Sequence, residues 1–287
     1  MTQFNRFMKS YWRPKLAAAG DIKNLPIVME LYGHGVVRPG YNYERKLART
    51  VNVELVCRGE MTFVQGEQRQ IVHAGEAVLM RPGVPQQFIA TSEKPCVKRF
   101  IVLTGPSLFS VIDAAGVSLD TPIRISDMAH MQQLFRAIGA ARSNNAIEAM
   151  IKASSLAFEI LTLLGRCEKE SVPQKLLPAL ARIRAEGDWP TLDELAELAG
   201  LSVSQFSRVF REHTGKSTGE YIKSVRLQRA AFYLQNSDWP VKKIAEQLGY
   251  DTPHYLTSQF TKYYGETPTN FRSELSFIAK ALINKQI

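Results

Sequence analysis

The chain has 287 residues, enough for roughly two domains of about 150 residues, each with its own core. With 45% apolar and 22% charged residues it is neither disordered nor collagen-like, and 36 Lys and Arg against 27 Asp and Glu leave a net +9 that favours polyanionic partners such as nucleic acid or an acidic membrane surface. Cys57, Cys96 and Cys167 are too widely spaced for a disulfide framework or a cysteine metal cage, and no apolar run nears the roughly 18 residues of a membrane span. The start, Met1-Thr2-Gln3-Phe4-Asn5-Arg6, lacks the apolar region of a signal peptide, so a cytoplasmic protein is expected.

In chain order, Phe4, Phe7, Met8, Tyr11 and Trp12 recur at helical spacing with Arg6, Lys9 and Arg13 between them, which reads as an arm packed on the following domain, with a membrane-surface helix or a disordered segment as alternatives. Short β-type runs follow: Pro26–Tyr32, Asn52–Cys57, Met61–Val64, Arg69–His73, Ala77–Met80, Gln86–Ala90 and Val97–Leu103. Gly- and Pro-bearing turns separate them, a rhythm that predicts a sandwich or small barrel. From about residue 126 the period becomes helical. Asp127–Ala141 predicts one helix and Ala146–Cys167 another, the second with Ile147, Ile151, Ser154, Phe158 and Leu161 on one stripe and Met150, Ala157, Ile160 and Leu164 beside it. So apolar a helix needs cover on two sides, which the β domain and a second protomer would supply. Glu168–Pro173 reads as a polar linker.

Beyond the linker the chain repeats itself. Asp188-Trp189-Pro190, Leu195-Ala196-Glu197, Gly200, Phe206, Phe210 and Gly215 return as Asp238-Trp239-Pro240, Ile244-Ala245-Glu246, Gly249, Leu256, Phe260 and Gly265, at offsets of 50, 49 and again 50. Each copy meets the needs of a helix-turn-helix. In the first, Leu192, Leu195, Ala196 and Ala199 face inward, a small Ala allows a close crossing and a Gly takes the turn; the second helix buries apolar residues at i and i+4 and leaves polar residues outside. Thr191-Leu192-Asp193-Glu194 is a capping box. Thr218–Gln235 predicts one joining helix of about 27 Å, comparable to a DNA turn of about 34 Å.

These residues, with Ser202, Ser207-Arg208-Val209, Tyr221-Ile222, Arg226-Leu227, Ala230, Tyr250, Tyr255, Tyr264, Thr267-Pro268 and Phe271-Arg272, resemble the DNA-binding domain of AraC-type (AraC/XylS) bacterial transcription regulators. The resemblance implies an α+β chain of two domains: an N-terminal cupin-like β-barrel with a helical dimerisation element, and a C-terminal all-α domain of two helix-turn-helix units. The expected division is a cupin-like effector-binding domain with its N-terminal arm at 1–125, a dimerisation element at 126–170 and the DNA-binding domain at 171–287, with motifs at about 188–215 and 238–265.

Carried over by position, Ser204, Gln205, Ser207 and Arg208 would face base edges and Arg211 phosphate, while His254, Thr257, Ser258 and Lys262 would do so from the second unit. Many members have Arg where Ser258 stands; Ser258 cannot make the bidentate guanine contact, so Arg208 is expected to carry most of the direct readout. In the barrel, Gly75–Phe88 is similar to the cupin turn in which a strand ends at a Pro-Gly corner, with Gln86 where a His usually stands. No clustered metal ligands accompany it, so no metal, cofactor or catalytic residue is expected. Arg45, Gln86, Phe88, Lys98 and Phe100 would line an effector site for a sugar or an organic acid, Lys98 and Phe100 sharing one face of their strand and Arg99 taking the other.

The expectation is therefore a homodimeric transcription regulator, an activator and not an enzyme, with double-stranded promoter DNA, a small-molecule effector and RNA polymerase as partners and no membrane role. A cupin-type enzyme with a helical appendage and an effector-independent DNA-binding protein are the alternatives. The excess charge lies elsewhere: residues 171–287 hold 15 basic and 12 acidic residues, residues 1–50 hold 9 and 3.

Overall fold

The structure, a computed structural model, describes residues 8–12, 25–45, 50–66, 68–82, 84–105, 107–119, 121–141, 146–185 and 187–273. The chain divides into two compact units, with the boundary between Cys167 and Glu168.

In the first unit, strands β1 Met8–Trp12, β2 Val28–Val37, β3 Asn42–Arg45, β4 Val51–Arg58, β5 Glu60–Gln65, β6 Gln68–His73, β7 Glu76–Met80, β8 Gln86–Ile89, β9 Cys96–Thr104 and β10 Ile123–Arg124 form two antiparallel sheets. Their orders are β1-β2-β9-β4-β7-β10 and β3-β8-β5-β6. The seven expected β runs all fall on strands. Met8–Trp12 is a correction: it is a strand antiparallel to β2 and not part of a helix, because the outer edge of β2 offers a row of backbone groups that a partner strand satisfies. Phe4, Arg6, Phe7 and Arg13 lie outside the described residues.

Period-two alternation gives the larger sheet two buried faces. Val51, Val53 and Leu55 of β4, with Ile101 and Leu103 of β9, pack against helices α1 Leu108–Ala115, α2 Met128–Ala140 and α3 Ala146–Ser171. On the opposite face Val56, Val78, Met80 and Cys96 meet Met61, Phe63, Val72 and Phe88 of the second sheet. That inner face is where β4 also carries Asn52 and Glu54. α1 lies against α3 at Gly165, where an added Cβ would stand 2.1 Å from the Ala115 carbonyl oxygen, so only glycine fits.

α3 departs from expectation in its extent and in its outward face. It runs through Glu168-Lys169-Glu170 to Ser171, since these are good helix formers and the first breaker is Pro173. Its expected outward stripe is split: Ser154 and Leu161 are buried in the unit's own core, and the Ser154 Oγ accepts a hydrogen bond from the Met29 backbone at 3.3 Å. The stripe's exposed apolar members are Ile151 at 48% and Phe158 at 50%, with Ser155 and Thr162 on the same line.

In the second unit a 3₁₀ turn, Gln174–Leu176, leads into α4 Leu177–Arg184, α5 Leu192–Leu198, α6 Val203–Thr214, α7 Thr218–Asn236, α8 Val241–Gln247 and α9 Pro253–Tyr264, and residues 268–273 are again helical. α5 begins at the expected capping box: Glu194 N–H donates to the Thr191 hydroxyl and Thr191 N–H to the Glu194 carboxylate. Thr191→Ala is expected to lower unfolding stability by about 1 kcal/mol in denaturant melts, whereas Thr191→Asp should retain the wild-type midpoint. Leu195, Ala196 and Ala199 are buried as expected, but Leu192, in the first turn of α5, is 37% exposed.

Candidate nucleic-acid interface and barrel interior

Each half of the second unit is a short helix, a glycine turn and a longer helix. Gly200 (φ +62°) and Gly249 (φ +68°) occupy the left-handed region that the tight turn requires and L side chains rarely adopt. α6 starts at Ser202, whose Oγ accepts from Gln205 N–H while Gln205 Oε1 accepts from Ser202 N–H; α9 starts at Thr252, whose Oγ1 accepts from Tyr255 N–H. Phe206 and Phe210, like Leu256 and Phe260, are fully buried one turn apart. Exposure repeats with the sequence: from 202 to 220 each residue has the same degree of burial as the one 50 places on, except Arg211 and Thr261.

The expected contact residues lie on these outer faces. Ser204, Gln205, Arg208 and Arg211 are exposed on α6 and Ser207 half-exposed; His254, Ser258 and Lys262 are exposed on α9 and Thr257 half-exposed. Arg208 Nη1 pairs with Glu212 Oε1 at 3.1 Å, one turn along. Gln205 closes the cap of its helix, and the Thr257 hydroxyl donates to the Pro253 carbonyl at 2.9 Å. α7, with 19 residues, is about 28 Å long and joins the two halves.

The barrel interior holds charge. Lys98 Nζ lies 3.1 Å from Glu54 Oε2, and both side chains are 3% exposed. The same ammonium sits 4.5 Å from the Phe88 ring centre, 5.3 Å from Phe100 and 5.8 Å from Tyr41. A buried ion survives only when paired and caged in this way. Burial pushes the Glu54 carboxyl up while Lys98 pulls it back; burial opposes the Lys98 charge, but Glu54 holds that ammonium above the usual lysine range. Arg45, whose guanidinium burial pushes down, donates to Thr50 Oγ1 at 3.0 Å. Gln86 donates to the Arg81 carbonyl at 2.6 Å and to Gln65 Oε1 at 3.3 Å. Gln86 Oε1, Asn52 Oδ1 and Arg45 Nη1 are buried without a hydrogen-bond partner among the described residues.

Residues 30–161 match the family model of an AraC-like ligand binding domain, and residues 195–274 that of a helix-turn-helix domain. The chain belongs to the AraC type. An uncharacterised HTH-type transcriptional regulator of Haemophilus influenzae is 32% identical over 169 residues, 55% of this chain and 54% of that one. The HTH-type transcriptional activator RhaR of Mannheimia succiniciproducens is 39% identical over 80 residues, 28% of each chain. The multiple antibiotic resistance protein MarA of Escherichia coli is 32% identical over 82 residues, 29% of this chain and 65% of that one. The chain thus spans about half the length of the first of these relatives and under two thirds of the others. Among solved structures, unsaturated fatty acid-bound ToxT of Vibrio cholerae is 11% identical over 85% of this chain and 95% of its own, with a TM-score of 0.39.

In this AraC-type chain the five residues expected at the effector site are distributed unevenly. Phe88, Lys98 and Phe100 come together around the ammonium, Gln86 is buried with Gln65, and Arg45 stands opposite Gln86 in the β3–β8 ladder. Arg99 takes the other face, donating to the Tyr32 hydroxyl at 2.7 Å. Sequence reasoning missed Glu54. Its signal was present: one carboxylate at an inward position of Val51-Asn52-Val53-Glu54-Leu55-Val56, a strand otherwise almost wholly apolar, needs a cation on a neighbouring strand. Among the described residues no group of three or more His, Cys, Asp or Glu could hold a metal ion, and no helix is long and apolar enough to cross a membrane.

Proposed function

We propose that the protein is a sequence-specific, promoter-binding transcription regulator whose action on DNA responds to a small molecule held in the barrel. The observation that carries this reading is the pair of helices α6 and α9, which present matching polar faces from two equivalent helix-turn-helix units joined by one helix. Phosphate contacts from Arg211 and Lys262 would position the domain, and Arg208 would read a base edge.

Two orphaned acceptors and one orphaned donor buried in the barrel favour a hydroxyl-bearing ligand, a sugar or small hydroxy acid, whose hydroxyls would donate to Asn52 and Gln86 and accept from Arg45. Ligand in the barrel would act by differential affinity, favouring one arrangement of the DNA-binding domains. The exposed line of Ile151 and Phe158 suits a homodimer seam on α3. RNA polymerase is the partner such a regulator implies, and the cytoplasm its site of action. A regulator accounts for these features better than a cupin-type enzyme: the caged Lys98–Glu54 pair is committed to itself and presents no group poised for acid–base work.

Selection from a random duplex library by the full chain tests the reading. Enrichment of one consensus with two contacted elements is expected, and retention of duplex without sequence preference would overturn it. The same preparation, scanned against sugars and hydroxy acids, should show a raised melting temperature with one of them.

A further inference from the structure

The two Asp-Trp-Pro motifs are equivalent in sequence, yet their tryptophans do different work. Trp239 stays within its own half: its indole stacks on Tyr233 with ring centres 5.0 Å apart, and the Lys243 ammonium lies 4.2 Å over it. Trp189 crosses to the other half. Its Nε1–H donates to the Leu248 carbonyl at 2.8 Å, at the C-terminal end of α8, and its Cδ1 would lie 3.5 Å from a Cβ added at Gly249, the turn that aims α9. It packs against the cores of both halves.

Two arginines one turn apart on α7 clamp the indole. The Arg226 and Arg229 guanidinium carbons each lie 4.8 Å from its centre. Arg226 also reaches the Tyr250 ring at 5.7 Å, and Arg229 donates to the Ala185 carbonyl beyond the end of α4 at 2.9 Å. A continuous chain therefore runs from the start of the first half, across the joining helix, to the turn before the second reading helix. The indole donor also satisfies the carbonyl of Leu248, the residue that caps α8.

We infer that Trp189 is a positioning residue that latches the second helix-turn-helix to the first and so sets the spacing of DNA elements the two halves accept together. The inference rests on the DNA-binding reading above. A rigid pair tolerates one separation along the duplex, because each added base pair both shifts and rotates the second element.

The test uses the full chain and a duplex enriched by the wild type from a random library, with one base pair inserted between its two contacted elements. The insertion is expected to lower wild-type affinity about tenfold or more, comparable to a mismatched base pair, and that of Trp189→Phe about threefold or less. A residue serving stability alone would change the melting temperature and leave the spacing penalty intact. Equal penalties in two folded proteins would overturn the latch. Should Trp189→Phe lose its fold, Arg226→Gln, which opens the clamp without removing the indole, carries the same expectation and the same refutation. A wild type that enriches no duplex would instead defeat the DNA-binding reading itself.

Discussion

Lys98→Met is expected to destabilise the first unit by about 3–5 kcal/mol, because it strands the Glu54 carboxylate in a space where both partners are 3% exposed. The pair itself contributes far less than that figure, since two desolvation penalties offset most of its attraction. Lys98→Met combined with Glu54→Leu should therefore recover most of the loss, the apolar pair filling the volume between Phe88, Phe100 and Tyr41. Denaturant unfolding of the two single variants and the double closes the cycle. Simple additivity would show that the two side chains are not coupled and would remove the case for a paired charge inside the barrel.

Arg208→Ala is expected to weaken binding to an enriched duplex by about 1–3 kcal/mol, or roughly 5- to 150-fold, while scarcely altering retention of random duplex. The ion pair with Glu212 does not stand in the way: an exposed pair one helical turn apart is worth about 0.3–0.5 kcal/mol, so guanine can displace it. Ser258→Ala, lacking a fork of donors to lose, should reduce affinity by a smaller factor. Equal losses on enriched and random duplex would mean that Arg208 contacts phosphate, and sequence readout would pass to other residues of α6.

Periodicity made most of this architecture legible. The second unit was the clearest, because the repeat of Phe206 and Phe210 as Leu256 and Phe260 fixes helix, face and turn together. β3 was missed because exposed Asn42 and Glu44 alternate with only half-buried Tyr43 and Arg45, too polar a run to read as a strand, and its pairing with β8 comes from tertiary context that no local pattern announces. α1 and β10 were missed for being short. Glu54 was overlooked because a single carboxylate in an apolar strand has meaning only beside Lys98, 44 residues later and two positions along the facing ladder. The outward stripe on α3 was half right: helical spacing identifies neighbours, but nothing in the spacing says which line of an almost wholly apolar helix will face β2.

α7 belongs to both helix-turn-helix units at once. Tyr221 and Val225 near its start complete the core that includes Phe206 and Phe210, and Leu227, Ala230, Ala231 and Leu234 complete the one around Phe260 and Tyr264. Neither core is whole without that helix, and each draws on only about a dozen buried side chains, too few for an independent fold. Two elements proposed to read DNA as a pair are thus one unit in folding: ordering α7 commits both, and the energetic cooperativity of the domain is written along a single helix.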